Sequence, residues 1–440
     1  MKFGMKTPTP HRIPQIPLAV SAPSPAGPAA VISRRASDRI RAGHVWVYRS
    51  DLTKLIPALD APAAEDLPAG ALVTVLDNRE IPLGTAIYSS ASQIALRLVA
   101  NEPALPRPAF LATLRERVAA AIAFRQQLLA TAAETDSCRL VFSEADALPG
   151  IIADKYGDLV ILQLLTQGTA QADVRAAVVE AIREYLQPHT IVERPDPRIR
   201  ELEQLEAPAT APLFTSNAAA PLLATSFRLN GLLFHYDANA GQKTGAFLDQ
   251  RENYAAAARH AHGVALDICT YQGGFALHLA RVCPRVTGVD VSRAALETAE
   301  KNLLLNRSQL VQNGEGVDWM EANAFDLLRD YEAAGQQFDT IVLDPPAFAK
   351  TKRAAEGALR GYKEMNLRAL KMLRPGGTLV TCSCSHHVSL TDFTGVVSAA
   401  ASDALRRVQL LEIRGAAPDH PAILTLPETS YLKCLVCRVG

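Results

Sequence analysis

Residues 338–350, FDTIVLDPPAFAK, restrict the fold more than any other stretch of the chain. Thr340, Ile341, Val342 and Leu343 form a short apolar run rich in β-branched side chains, the pattern of a strand covered on both faces. The run stops at Asp344-Pro345-Pro346. Two prolines fix φ and supply no N–H, so the chain past the strand stays extended and has no helical alternative. In an open α/β sheet ligands gather just beyond the carboxyl ends of the strands, which puts Asp344 where the polar edge of a ligand would arrive.

From residue 225 onward strand, loop and helix alternate. Residues 264–268 (VALDI) read as a buried strand, 275–280 as the start of a helix, 286–290 (VTGVD) as the next strand and 294–304 as its helix. This alternation predicts an α/β fold, a doubly wound parallel sheet with helices on both faces, over residues 225–440.

The chain before it reads differently. Residues 1–30 are rich in Pro, Ala and Ser, lack the apolar core of a secretory signal and read as a flexible tail. Residues 71–76, 83–88 and 94–99 are strand-like runs too close together for helices between them, and they predict a small β-barrel-like module over 31–108. A helix at 110–130, a hairpin from 150–154 and 159–165, a helix at 172–186 and a strand at 190–193 make an α+β unit over 109–206. Residues 207–224 suit a linker.

A length of 440 residues exceeds one ordinary core and agrees with this division. Lys+Arg and Asp+Glu each total 45, so no global field draws the chain to nucleic acid, and any such binding must use local patches. No segment reaches the unbroken apolar length of a membrane span. The seven cysteines, odd in number and without framework spacing, fit a reducing, cytoplasmic compartment. Cys434 and Cys437 lie in YLKCLVCRV, an apolar run that reads as a last strand; a zinc site would need a second pair, so no metal is expected.

The ligand is constrained by two acids and a loop. Asp290 closes a strand about twenty residues past a Gly-rich turn, where such sheets place an acid that accepts from ribose hydroxyls. A dinucleotide would need a fuller glycine turn, and Cys269-Thr270-Tyr271-Gln272-Gly273-Gly274 has only the late glycines, which favours S-adenosylmethionine. Gly273 and Gly274 would let backbone approach it. The cofactor set expected here comprises Asp267, Thr270, Tyr271, Gly273, Gly274, Asp290, Val291 and Asp344, with Arg251 facing a carboxylate. Gly241-Gln242-Lys243-Thr244 imitates a P-loop, but Tyr236 stands where its first glycine belongs.

Residues 378–385 (TLVTCSCS) read as a further buried strand running to the same edge, with Cys382 and Cys384 on one face and Cys384 nearer the ligand. A buried inert thiol is the ordinary reading of either. The chemistry of pyrimidines gives another: carbon 5 takes a methyl only after a nucleophile adds at carbon 6, so a cysteine beside an acid is the required pair. Cys384 and Asp344 supply it. His386 and His387 are neighbours that could assist deprotonation.

Taken together, GQKTGAFLDQR, YQGGFA, VDVS, LDPPAFAK, SCS, PDHP and EADALPGIIADKYGDLVILQLL resemble the bacterial ribosomal large-subunit RNA methyltransferase I family, over nearly everything after Val31. The resemblance implies an RNA-binding PUA module, an α+β linker domain and a Rossmann-like class I methyltransferase domain that makes 5-methylcytidine. It implies Cys384 as nucleophile, Asp344 as the cytosine-contacting acid and Asp290 as the ribose ligand. Asn323, followed by Ala324, stands where relatives often carry an adenine-contacting Asp, and an amide oxygen still accepts a hydrogen bond. His386-His387 departs from the small residues usual after SCS. Ribosomal RNA is the implied partner, and a monomer or homodimer is compatible.

Two rival readings remain at this level. An Asp-Pro-Pro loop also serves amino methylation of purines, which needs no cysteine, and an assembly factor could keep the fold without catalysis. RNA contacts are expected from Arg34, Arg35, Arg39 and Arg41, near His44, Trp46 and Tyr48, and from Lys350, Lys352, Arg353, Arg360 and Lys363. A solvated helix face explains either cluster without RNA.

Overall fold

The computed structural model describes residues 27–58, 67–132, 134–208, 210–217, 220–239, 245–348 and 355–440. Most of the expected tail, the Gly241–Thr244 stretch, Lys350, Lys352 and Arg353 lie outside these residues.

The first sheet holds β1 (Ala29–Ile32), β2 (Trp46–Tyr48), β3 (Leu52–Ile56), β4 (Leu72–Leu76), β5 (Pro82–Tyr88) and β6 (Ile94–Ala100), in the order β2-β6-β5-β4-β1-β3. Its strand β1 starts inside the segment expected as tail, because Ala29 and Ala30 pair with both β3 and β4 and are fully buried. The helix α1 (Arg34–Arg41) follows, capped by the Ser33 side chain on the Ala36 N–H.

The central unit consists of α2 (Arg107–Ala130), β7 (Cys138–Phe142), β8 (Ile151–Tyr156), β9 (Leu159–Leu164), α3 (Ala172–Leu186), β10 (Thr190–Glu193), α4 (Pro197–Glu203) and β11 (Phe214–Thr215). The expected hairpin is β8–β9, with Tyr156 opposite Leu159. The segment expected as a linker is no free spacer, since β11 pairs antiparallel with β10.

An antiparallel hairpin, β12 (Ala224–Leu229) and β13 (Leu232–Asp237), comes before the alternating pattern. Its Phe227 and Tyr236 pack on Tyr156 of the central sheet, with the Tyr156 and Tyr236 rings stacked at 4.1 Å. One apolar cluster runs from Tyr156, Leu159 and Ile161 through this hairpin to Ala265, Val342 and Val380. The central and third units therefore share a core.

The third unit continues with α5 (Arg251–His260), β14 (Val264–Ile268), α6 (Gly274–Leu279), β15 (Arg285–Asp290), α7 (Arg293–Asn306), β16 (Val317–Glu321), α8 (Ala324–Ala333), β17 (Phe338–Leu343), α9 (Ala355–Met372), β18 (Leu373–Ser383), α10 (Leu390–Asp403), β19 (Val408–Arg414) and β20 (Lys433–Val439). The strand order is β16-β15-β14-β17-β18-β20-β19. Alternate residues of the middle strands serve two cores: Val342 faces one, Ile341 and Leu343 the other. Each of these side chains is at most 1% exposed, worth roughly 1.5–3 kcal/mol apiece in apolar burial. The sheet is not wholly parallel as expected, because β20 inserts antiparallel between β18 and β19. After β16 the chain crosses back to β17 on the far side of β14, so the switch point lies between the ends of β14 and β17.

Candidate active site

Asp344 leaves β17 at that switch point, and its N–H donates to the Ile268 carbonyl at the end of β14. It is half-buried. Gln250 Nε2 donates to its Oδ2 at 2.9 Å. Gln250 is itself held, since its Oε1 accepts from Asn253 Nδ2 at 2.6 Å. Burial, then the nearby Asp249 and Asp267, push the Asp344 carboxyl up to about 8, against the pull of Gln250. This environment favours the protonated acid over the carboxylate.

The strand bearing the two cysteines ends at Ser383, not Ser385, which separates their fates. Cys382 stays in the sheet, fully buried and opposite Cys434, and burial pushes it well up. Cys384 lies just past the strand end, partly exposed, with its Sγ 3.9 Å from the Pro345 carbonyl oxygen. The thiol is thus set against the loop that Asp344 leads. Beneath it, the Ser383 hydroxyl donates to the Tyr362 hydroxyl, and Tyr362 bonds the Ser385 hydroxyl at 2.9 Å. The His386 ring lies 5.5 Å from that of Tyr431, whose hydroxyl donates to Asp249.

On the other side of the switch point, the loop after β14 turns through left-handed residues at Cys269 and Tyr271. Such conformations in non-glycine residues store strain and collect at functional sites. Asp290 Oδ2 accepts from the Tyr271 N–H and Oδ1 from the Ser292 N–H, both at 2.9 Å, leaving lone pairs on each oxygen for ligand hydroxyls. Asp267 Oδ2 accepts from Thr270 and the Ala276 N–H, while its buried Oδ1 has no hydrogen-bond partner among the described residues. Burial pushes Asp267 up to about 7. Val291 is 66% exposed beside Asp290, an apolar face that a flat ring would cover. This donor and acceptor set fits S-adenosylmethionine: Asp290 for the ribose, the Asp267 oxygen for an ammonium, and Val291 with Ala324 for the adenine.

Several expected site residues have other work in the structure. A Cβ on Gly273 would meet Trp319 at 2.8 Å and one on Gly274 would meet Tyr254 at 2.5 Å, so helix packing by itself requires both glycines. Asn323 caps α8, its Oδ1 accepting from the Phe325 and Asp326 N–H groups. Arg251 does not reach towards the cofactor loop. It is 3% exposed, 3.4 Å from Asp419 Oδ1, where it faces the central unit. Cys434 and Cys437 fall in different cores on opposite faces of β20, so they cannot share a metal ion.

The basic cluster divides in the same way. Arg34 and Arg35 are exposed, whereas Arg39 pairs with Asp51 at 2.6 Å under Tyr48 and Arg41 pairs with Asp77. Trp46 is no open stacking ring, because its Nε1 donates to Glu144 of the central unit at 2.9 Å. Lys363 pairs with Asp403 at 2.7 Å, and Arg360 is exposed. Gln250, Tyr362 and Tyr431 were missed by sequence reasoning. The DQR run around Gln250 is visible in the sequence, but only its arginine suggests a ligand contact there.

Two family profiles match: a PUA-like domain over residues 31–101 and an S-adenosylmethionine-dependent methyltransferase over residues 198–435. Among solved structures, a SAM-dependent methyltransferase from Streptococcus mutans superposes with a TM-score of 0.75, at 17% identity, covering 93% of this chain and 99% of that one. Fold and profile together define an S-adenosylmethionine-dependent methyltransferase with an N-terminal PUA-like domain.

Sequence relatives narrow the class. "Ribosomal RNA large subunit methyltransferase I" of Shewanella amazonensis is 40% identical over 362 residues, covering 81% of this chain and 87% of its own length. The protein of the same name from Pseudoalteromonas translucida is 36% identical over 402 residues, covering 90% and 95%. The chain belongs to the ribosomal RNA large subunit methyltransferase I family.

Proposed function

We propose that this protein methylates carbon 5 of a cytosine in large-subunit ribosomal RNA through a covalent cysteine adduct. The observation that carries this reading is the Cys384 thiol held against the Pro345 carbonyl, one residue along the loop from Asp344, whose carboxyl is pushed up to about 8. S-adenosylmethionine supplies an electrophilic methyl when bound, and Asp290, Asp267 and Val291 would hold it. The Cys384 thiolate adds to carbon 6 of the flipped base. Protonated Asp344 donates to N3 as negative charge develops there, and Gln250 keeps that carboxyl in place. Carbon 5, now enamine-like, takes the methyl; it then gives its proton to solvent water as the bond from carbon 6 to sulfur breaks, which releases the thiolate and returns the N3 proton to Asp344.

The Cys384 thiol at the loop supports this route over purine amino methylation, which has no use for a cysteine there. The printed names of the relatives support ribosomal RNA as substrate. Arg34, Arg35 and Arg360 are the exposed cations available for its phosphates. The test is trapping: RNA carrying 5-fluorocytidine should give a denaturation-resistant complex with the native protein and none with Cys384→Ala. Methyl transfer retained by Cys384→Ala would overturn the reading.

A further inference from the structure

Lysine is seldom enclosed without a partner carboxylate, yet Lys433 is only 7% exposed. It opens β20 in register with Ser383, so its stem runs beside the strand end from which Cys384 emerges. Its Nζ donates to the carbonyl oxygens of Ser385 and Tyr431, each at 2.7 Å. Ser385 is the residue directly after Cys384. The ammonium is thus pinned between the backbone just after the thiol and the backbone that leads into its own strand.

The other groups around this thiol come from four directions. Tyr362 of α9 and Tyr431 are pushed up, chiefly by burial, with Cys384 adding to the push on each. Asp344 lies one residue from the carbonyl that the thiol meets. Asp249 is engaged by the Tyr431 hydroxyl, and the His386 ring packs on Tyr431. For Lys433, burial pushes the ammonium down to about 8, and the opposing electrostatic influence comes from Cys384. Two strand-end carbonyls explain where the lysine sits; they do not require a full charge in so enclosed a place.

We propose that Lys433 is the counter-charge of the Cys384 thiolate, a positioning residue that acts through the sulfur without touching the RNA base. In the free enzyme the thiol proton leaves to water and the ammonium stabilises the remaining charge. At the end of the reaction the same ammonium receives the expelled thiolate. This rests on Cys384 being the nucleophile.

The experiment is the pH profile of Cys384 alkylation by iodoacetamide in the full-length protein without RNA, with the modified peptide identified by mass spectrometry. Lys433→Met should raise the pH midpoint by about one unit or more, so that alkylation near neutral pH slows about tenfold, while Lys433→Arg keeps most of the native profile. An unchanged midpoint in Lys433→Met, even with lowered stability, would make the lysine merely structural and end the proposal. Should neither variant fold, the Lys433 ammonium can be followed by carbon-13 labelling in the native protein and in Cys384→Ala. Loss of its charge at lower pH once the sulfur is removed supports the pairing, and no movement overturns it. The alkylation readout involves no RNA, so a failure of the cytosine reading, seen as methyl transfer by Cys384→Ala, remains separate from a failure of the charge pairing.

Discussion

Asp344 and Asp419 are both enclosed carboxylates, and the third unit treats them in opposite ways. Asp419 sits where the PDHP segment meets the central unit: Arg139 N–H donates to its Oδ2 at 2.8 Å, Arg125 donates to its carbonyl at 2.9 Å, and Arg251 and His420 flank it. Burial pushes Asp419 up, but His420 and Arg251 outweigh it and hold the carboxyl at about 2. Asp344 has an amide for a partner and two carboxylates for neighbours, and it is pushed up to about 8. Charge matched by cations builds a junction; a carboxyl denied cations keeps a proton available for chemistry.

The contrast can be broken in four ways. The largest effect is expected for Asp344→Asn, which preserves shape but removes the acidic proton: methyl transfer measured with tritiated cofactor should fall about 10²- to 10⁴-fold with no loss of stability. Asp419→Ala should do the reverse. It removes the enclosed partner of Arg251, which keeps only the more exposed Glu252 at 3.3 Å, costing about 3 kcal/mol in urea unfolding, while turnover per folded molecule is retained.

The pH dependence of stability should separate the two acids further. Asp344 is raised on folding, so its contribution is present below pH 3.8 and is lost as pH rises through about 8. Asp344→Asn should therefore gain on the native protein between pH 4 and 9, by on the order of a few kcal/mol in urea midpoints. Asp419 is lowered, so its stabilisation is present above pH 3.8 and is lost as pH falls through about 2. Asp419→Asn should lose its disadvantage only in that acid range, and a parallel response of both variants would dissolve the contrast. The smallest effect concerns the surface. Arg34→Ala with Arg35→Ala should flatten the salt dependence of RNA binding by a slope of about one to two, whereas Arg39→Ala, already paired with Asp51, should mainly cost about 1 kcal/mol or less of stability.

Local pattern made much of this legible. The helix over 172–186, the strand 190–193 and the strand 264–268 occupy the expected residues, because each carries its periodicity within itself. The hairpin β12–β13 was hidden by the alternation that follows it, although Asn230-Gly231 marks its turn. The antiparallel insertion of β20 has no local signature, since a strand buried on both faces reads alike in either direction. At the candidate site, strand ends draw attention to Asp344, Asp290 and Cys384, whereas Gln250 contacts Asp344 and Lys433 contacts the backbone after Cys384 from segments whose own composition serves packing. Arg251 misled because the run around it places Gln250 at the cleft and turns its neighbour inward.

The bonds between units carry one further meaning. Trp46 to Glu144, Ser89 to Glu203, and Arg125 and Arg139 to Asp419 tie the first sheet to the central one and the central one to the third by enclosed polar contacts. On the proposed function, a chain joined like this would work as a caliper: an RNA held at one jaw would have to offer its target at a set reach from the other, so span would count beside base identity.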